Sequence, residues 1–176
     1  MRVRLILGLL ALVLAGCTAT PFALRWSAQS AAAAELRAAQ ARWDARPFAR
    51  YRAEIKDGPC RYTVEVTGRT ITWSTPVRCD LPRQTVDDFL VLAGRDDTVG
   101  IACVARGCAC RDIYKVTTVY DPVLGYPREM DVRLRPELNY LHRDYWRAAF
   151  RLRRAPDCGL MEGQKEVRIT LMPLPD

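Results

Sequence analysis

Three cysteines lie within eight positions in the stretch CVARGCACRD, at Cys103, Cys108 and Cys110. Cysteines this close can bind a metal ion, form a redox centre, or form structural disulfides. A zinc site needs four ligands, but the chain has one histidine, His142, and neither a paired CxxC motif nor a Cys/His spacing. A thioredoxin-like redox centre needs CxxC, which is also absent. The compartment in which the chain folds therefore decides between these chemistries.

The first seventeen residues, MRVRLILGLLALVLAGC, have the layout of a secretory signal. Arg2 and Arg4 form a basic start, and the apolar run over 5–14 is too short for a membrane-spanning helix. The ending Leu-Ala-Gly-Cys matches the lipobox of bacterial lipoproteins, in which the cysteine receives a diacylglyceryl group and the signal is cut before it. We therefore expect a signal peptide over 1–16, lipidation of Cys17, and a lipid anchor in the bacterial cell envelope. The alternative is an ordinary cleavable signal with a chance cysteine.

Export places the remaining cysteines in an oxidising compartment, where thiols pair. With Cys17 acylated, an even number remains: Cys60, Cys79, Cys103, Cys108, Cys110 and Cys158. Six cysteines predict three disulfides with about 15 possible pairings. Cys60–Cys79 is the best single pair because these residues flank a predicted hairpin. Cys108 and Cys110 should bond to different partners, since one intervening residue strains a direct bridge. The cysteines therefore indicate structural disulfides, with no metal or other cofactor.

Length and charge limit the class of protein further. Removing residues 1–16 from the 176-residue chain leaves 160, of which 17–27 are expected to form a lipidated tether and 28–176 one domain. Loss of Arg2 and Arg4 leaves 25 basic against 20 acidic residues, a net charge of +5. These charges are spread along the chain rather than clustered, and the compartment holds no nucleic-acid substrate. A nucleic-acid-binding function is therefore excluded.

The elements that must position these residues are a helix followed by mainly extended segments. Alanine-rich residues 27–46 predict a helix that Pro47 ends. Alternating apolar and polar residues predict strands, including a hairpin over 62–74 that turns at Thr67-Gly68. The other predicted strands lie at 48–56, 98–105, 113–120, 128–135, from about 145, and 165–172. A short second helix is predicted after Thr85, with Asp88 completing its cap and Gly94 ending it. The expected fold is α+β, a mainly antiparallel sheet with two helices and disulfides.

The segments ARWDA, YRAEI, VTGRTITWS, TVDDFLVL and VTTVYDPVLGYPREMDV follow one another in an order that resembles a known family. That family is the group of bacterial lipoproteins called domain of unknown function 6174. The resemblance covers residues 40–135, and YDPVLGYP is its most specific part. It implies a secreted or lipid-anchored α+β domain, and it assigns no activity and no functional residues. From its own residues, YDPVLGYP predicts a tight turn in which Asp121 bonds back to the backbone and Gly125 has a positive φ.

Function follows less directly from the sequence. Arginines on the polar sides of three predicted strands could form one basic surface: Arg50, Arg52, Arg133, Arg135, Arg151 and Arg153. Such a surface favours a non-catalytic domain that binds an anionic envelope polymer, lipid or protein, besides the membrane reached through its N-terminal lipid. The alternatives are a disulfide-stapled inhibitor or immunity-type module and, less favoured, a hydrolase. No catalytic residues are predicted, because paired cysteines cannot attack a substrate and His142 has only Asp144 nearby.

Overall fold

The computed structural model describes residues 27, 29–75, 82–101, 103, 107–158 and 163–175. Contacts divide the chain into two compact units, residues 1–38 and 39–176. The predicted signal peptide, the tether up to residue 26 with Cys17, and Cys79 lie outside the described residues. Helix α1 covers 29–44, α2 Val86–Ala93 and α3 Arg143–Leu152. The strands are β1 Arg50–Asp57, β2 Cys60–Thr67, β3 Thr70–Ser74, β4 Val99–Ile101, β5 Cys110–Tyr120, β6 Pro127–Leu138 and β7 Gln164–Pro173.

The seven strands form one open antiparallel sheet in the order β3-β2-β1-β7-β6-β5-β4. Consecutive strands are neighbours in the sheet, except β3 and β4, which lie at its two edges, and β7 pairs with both β6 and β1. The hairpin predicted over 62–74 is confirmed, although Thr67 pairs with Thr70 and the turn consists of Gly68, at a φ of 65°, and Arg69. The α+β class is confirmed too, with one helix more than predicted. Among the described residues no helix is both long and apolar enough to cross a membrane.

One face of the sheet carries the core, as the alternating sequence predicts. In β1, Tyr51, Ala53 and Ile55 are buried while the arginines and other charged residues between them are exposed. The ring of Trp43, at the end of α1, packs edge-on against Tyr51 at 5.3 Å, and the Tyr51 hydroxyl accepts a hydrogen bond from Val86 N. The end of α1 and α2 therefore cover this face. Burial raises the pKa of both Tyr51 and Tyr62 to about 12.

The core face also contains one buried ion pair. Asp57, at the end of β1, is 2% exposed, and its Oδ2 accepts a hydrogen bond from Lys165 Nζ at 2.9 Å. Its other oxygen, Oδ1, has no hydrogen-bond partner. Burial of a carboxylate is costly without a cation beside it, so the contact with Lys165 offsets part of the cost of burying Asp57.

The YDPVLGYP turn joins β5 to β6 and packs against α1. Asp121 Oδ1 accepts hydrogen bonds from Val123 N at 2.9 Å and Leu124 N at 2.7 Å, as the sequence predicts. Gly125 has a φ of 78°, and a Cβ added there would overlap the carbonyl oxygen of Ala39. Tyr126 follows it into the core, with its ring 6.5 Å from Trp43. The turn therefore needs glycine both for its backbone conformation and for its close approach to α1.

Helix α2 begins where the sequence predicts. Thr85 and Asp88 form a reciprocal capping box, and Val86, Phe89, Leu90 and Ala93 are buried. Asp96 and Asp97, which follow α2, connect it to β5, since Asp96 Oδ1 accepts a hydrogen bond from Val116 N at 2.9 Å and Asp97 pairs with Lys115.

Two disulfides lie among the described residues. Cys103 bonds to Cys108, and Cys110, at the start of β5, bonds to Cys158 after α3. The prediction that Cys108 and Cys110 have different partners is confirmed. Cys60 is disulfide-bonded as well. Its predicted partner, Cys79, lies outside the described residues, so the Cys60–Cys79 bridge stays a prediction.

The strand predicted from about residue 145 is wrong, because Arg143–Leu152 is the helix α3. His142 caps its N-terminus, and Arg153 ends it with a φ of 52°. The misleading signal was the alternation of Phe150 and Leu152 with arginines. Tyr145 is the only buried residue of α3. Arg143, Arg147 and Arg151 recur at the four-residue spacing of a helix face, and this is the pattern that the helix follows.

Candidate functional site

The six arginines predicted to form a basic surface separate into two groups. Arg50 and Arg52 on β1 and Arg133 and Arg135 on β6 do share the outer face of the sheet, with β7 between them. Arg151 and Arg153 do not join them, since they belong to α3 and its C-cap. The third row of the predicted surface is therefore absent.

Three of the four arginines on the sheet already have a carboxylate or carbonyl partner. Arg52 forms an ion pair with Glu65 on β2 at 2.6 Å, and Arg50 Nη1 donates to Pro175 O at 3.0 Å. Arg133 Nε donates to Asp131 Oδ2 at 2.8 Å. The prediction of one broad basic surface is thus wrong. The cationic region that remains is local and lies around β5 and β6.

That region is a groove with a volume of about 500 Å³ on the outer face of the sheet, beside the start of β7. Its wall consists of Lys115, Thr117, Asp131, Arg133, Leu134, Arg135, Pro136, Gly163 and Gln164. We call it the β5–β7 groove. Three of these residues are cations and one is an anion, so the groove has more positive than negative side chains.

The strand register explains how the cations converge. Lys115 on β5 lies directly opposite Arg133 on β6, and Arg133 lies opposite Gln164 on β7. Arg135 projects from the same face of β6, two positions further on. Like charges directly opposite one another in adjacent strands repel and destabilise a sheet. The Lys115–Arg133 pair is therefore an arrangement that sheet stability does not favour.

Two carboxylates partly offset this repulsion. Asp97 pairs with Lys115, and Asp131 accepts from both Arg133 and Gln164, the latter at 3.2 Å. Among the residues that the structure describes, Arg135 has no carboxylate within ion-pair distance. The groove therefore keeps one uncompensated guanidinium beside two cations that are already positioned by acids. A carboxylate or phosphate entering it would find donors on three adjacent strands.

A second cluster has metal-ligand residue types. Cys108, His142 and Asp144 offer ligand atoms that all lie within 4.8 Å of one another. However, the Cys108 sulfur is bonded to Cys103, and His142 Nδ1 already accepts a hydrogen bond from Asp144 N at 3.2 Å. In the oxidised protein the cluster offers neither a thiolate nor a free Nδ1, which does not fit a zinc site. Its geometry is that of a helix cap.

Sequence reasoning identified Arg133 and Arg135 but missed Lys115, Asp131 and Gln164 as groove residues. Lys115 lies on the polar side of an alternating segment, which was visible in the sequence. Its position opposite Arg133 depends on a pairing register that the sequence does not specify. The contribution of Gln164 depends on β7 lying beside β6, which is a feature of the sheet order alone.

The fold and groove define an α+β domain with a seven-stranded open antiparallel sheet, the end of α1 and α2 against its inner face, and a cationic groove on its outer face. No family model, curated protein or solved structure matches the chain.

Proposed function

We propose that this protein is a lipid-anchored, extracytoplasmic lipoprotein of the bacterial cell envelope, resembling the family called domain of unknown function 6174, and that it acts as a non-catalytic binding domain. Its ligand is an acidic envelope polymer, whose carboxylate or phosphate groups enter the β5–β7 groove. The lipobox ending at Cys17 supports the anchor, and the disulfides are compatible with an oxidising compartment.

The observation that carries the binding proposal is the Lys115–Arg133 pair with Arg135 beside it, which has no carboxylate partner in the described part of the chain. An anion placed between these groups relieves their repulsion and gains charge-assisted hydrogen bonds from both types of side chain. A polymer fits better than an isolated small ion because binding sites that rely on exposed charges are individually weak, and repeated acidic groups compensate by rebinding.

Titration of the exported, oxidised protein with polyphosphate and with polyglutamate tests the binding proposal. Arg135→Ser should weaken binding by about tenfold, since a charge-assisted hydrogen bond contributes about 1.5 kcal/mol or more. Binding should also fall steeply as salt rises, because exposed charges are screened beyond about 10 Å at 0.1 M. Arg61→Ser is the matched control, because Arg61 lies on the same outer face, pairs with Glu54 at 3.4 Å and is outside the groove. Equal losses in both variants would show that binding depends on total charge and not on the groove.

The anchor is tested separately by labelling cells with radioactive palmitate. We expect the label in the native protein and none in Cys17→Ser. Equal label in both proteins would refute lipidation at Cys17 while leaving the groove proposal intact.

A further inference from the structure

The helix α3 and the turn before it present large apolar side chains to solvent. Leu141 is 95% exposed, Phe150 78% and Trp146 51%. The Trp146 and Phe150 rings lie 6.3 Å apart, one helical turn from each other, and Trp146 Nε1 donates to Tyr140 O at 3.0 Å, which fixes the turn against the helix. These residues form an ordered apolar ledge rather than scattered exposed side chains, and such ledges indicate an interaction surface.

Arginines border this ledge. Residues 143–154 contain five arginines and a single acid, Asp144, which leaves four net positive charges on a segment of twelve residues. Arg143, Arg147 and Arg151 follow one another at intervals of four positions and so share one side of the helix. Asp144 lies 3.7 Å from Arg147 and 3.9 Å from Arg143, and it cannot neutralise the row. The apolar ledge and the arginine row together form one surface, which we call the α3 surface, and it is both apolar and strongly cationic.

A cavity of about 320 Å³ lies beside the arginine row. It is lined by Gly107, Ala109, Asp144, Arg147, Ala148 and Arg151. Two guanidinium groups at its edge provide planar donors of the kind that bind phosphate oxygens bidentately. A phosphate group adjacent to the apolar ledge is the arrangement of a phospholipid, whose headgroup and acyl chains lie next to each other.

We propose that α3 docks on the surface of an anionic phospholipid bilayer, with Leu141, Trp146 and Phe150 entering the interface and the arginine row binding headgroup phosphates. Aromatic and leucine side chains beside a basic face are typical of helices that lie in the plane of the interface. This proposal does not rest on the β5–β7 groove. It makes the lipid at Cys17 and the α3 surface two contacts with one membrane, and the first raises the local concentration for the second.

A second copy of the chain fits this surface poorly. In a twofold symmetric interface the same patch faces itself, so the arginine row would oppose an identical row. Two facing segments would contain ten arginines and only two acids, which could not compensate for them. An anionic bilayer instead presents a dense layer of negative charge, and each basic residue near it gains about fivefold in binding.

Co-sedimentation with vesicles tests the proposal. The chain from residue 17, carrying Cys17→Ser to remove the lipid and exported so that its disulfides form, should bind vesicles of equimolar phosphatidylglycerol and phosphatidylcholine. It should bind vesicles of phosphatidylcholine alone at least tenfold more weakly. Arg147→Ser with Arg151→Ser should lower binding to the anionic vesicles by about 25-fold, at roughly fivefold per arginine.

The apolar contribution is tested by Leu141→Ser with Phe150→Ser, which should lower binding by at least tenfold, since burial of each side chain in an apolar environment is strongly favourable. Both residues are exposed, so the thermal midpoint should stay unchanged. Val123→Ser is the matched control, because Val123 is 76% exposed in the β5–β6 turn and outside the α3 surface. Arg135→Ser should leave vesicle binding intact, which separates this surface from the groove.

Three results would overturn the proposal. The first is equal binding of the chain to anionic and neutral vesicles, or binding to neither. The second is full binding by the Leu141→Ser, Phe150→Ser variant, which would show electrostatic adsorption without insertion. The third is a dimer in sedimentation equilibrium that Phe150→Ser dissociates, which would assign the ledge to self-association.

Discussion

Replacing Gly125 with alanine should destabilise the protein more than any other glycine-to-alanine change in a described turn. The residue adopts a φ of 78°, which costs an L-amino acid about 1 kcal/mol. The new Cβ would also overlap the Ala39 carbonyl oxygen and approach the Ala39 carbonyl carbon to 2.9 Å and Arg42 Cβ to 3.0 Å. Because two of these contacts are backbone atoms of α1, the helix must move to relieve them.

The expected loss combines both effects. Forcing a methyl group into a packed contact costs about 1–3 kcal/mol, so with the backbone term the total is about 3 kcal/mol. At about 2–4 °C for each kcal/mol in a chain of this size, the thermal midpoint should fall by about 10 °C. The displaced α1 should loosen the packing of Trp43 on Tyr51, which near-ultraviolet circular dichroism would report.

Gly68→Ala is the matched control. Gly68 has a φ of 65° in the β2–β3 hairpin, but nothing lies within 4 Å of its added Cβ. It should therefore lose only the backbone term of about 1 kcal/mol, or about 3 °C. Both substitutions restrict the unfolded chain equally, so that effect cancels in the comparison. Urea and thermal unfolding of the oxidised proteins measure the difference. Equal midpoints for the two variants would refute the close approach of the turn to α1.

Three further predictions concern the disulfides and buried charges. Serine at both Cys110 and Cys158 should cost about 4 kcal/mol, whereas serine at both Cys103 and Cys108 should cost about 2 kcal/mol, because the sequence separations are 48 and 5 residues; urea unfolding yielding the reverse order would contradict this. Lys165→Met should cost about 3 kcal/mol of unfolding free energy, because it leaves Asp57 buried without its cation. Arg168→Met is the control: it breaks only an exposed pair with Glu166 and should not change the unfolding midpoint. Recovery of stability in the double variant Asp57→Asn with Lys165→Met would support the assignment, and equal midpoints for Lys165→Met and the native protein would refute it. The free energy of unfolding should fall between about pH 10 and pH 12, because in this range the unfolded chain loses the protons that Tyr51 and Tyr62 keep when folded. Each of the two residues should contribute about 1.4 kcal/mol per pH unit. Replacing one of them with phenylalanine should remove its share of the slope of unfolding free energy against pH, and an unchanged slope would contradict the prediction.

Local patterns in the sequence predicted the local parts of the fold. The alternation in β1, the β2–β3 hairpin and the Thr85–Asp88 capping box each depend on residues a few positions apart, and all are confirmed. The turn at Asp121 was also predicted, but its contact with Ala39 was not, because that contact joins residues 86 positions apart in the sequence.

Features that depend on distant pairing were not accessible from the sequence. The position of β7 between β1 and β6 brings Gln164 beside Arg133, and no alternation pattern specifies a strand's neighbour. The helix α3 was mistaken for a strand because the alternation of Phe150 and Leu152 with arginines was given more weight than the four-residue spacing of Arg143, Arg147 and Arg151. The apolar side chains of this helix face solvent rather than a core. These exposed side chains belong to the α3 surface. The segment that was wrongly predicted to be a strand is therefore the one that we propose binds a membrane.

The position of β7 has a consequence for how the protein matures. In a chain that is exported as proposed, the three-stranded units β1–β3 and β4–β6 emerge before β7, and each can form with an inner edge unpaired, on β1 and on β6. Among the described strands, β7 alone pairs with both edges. The two units are therefore joined into one sheet only after β7 has been translocated, and a chain cut short before β7 leaves both inner edges open to proteases and aggregation partners.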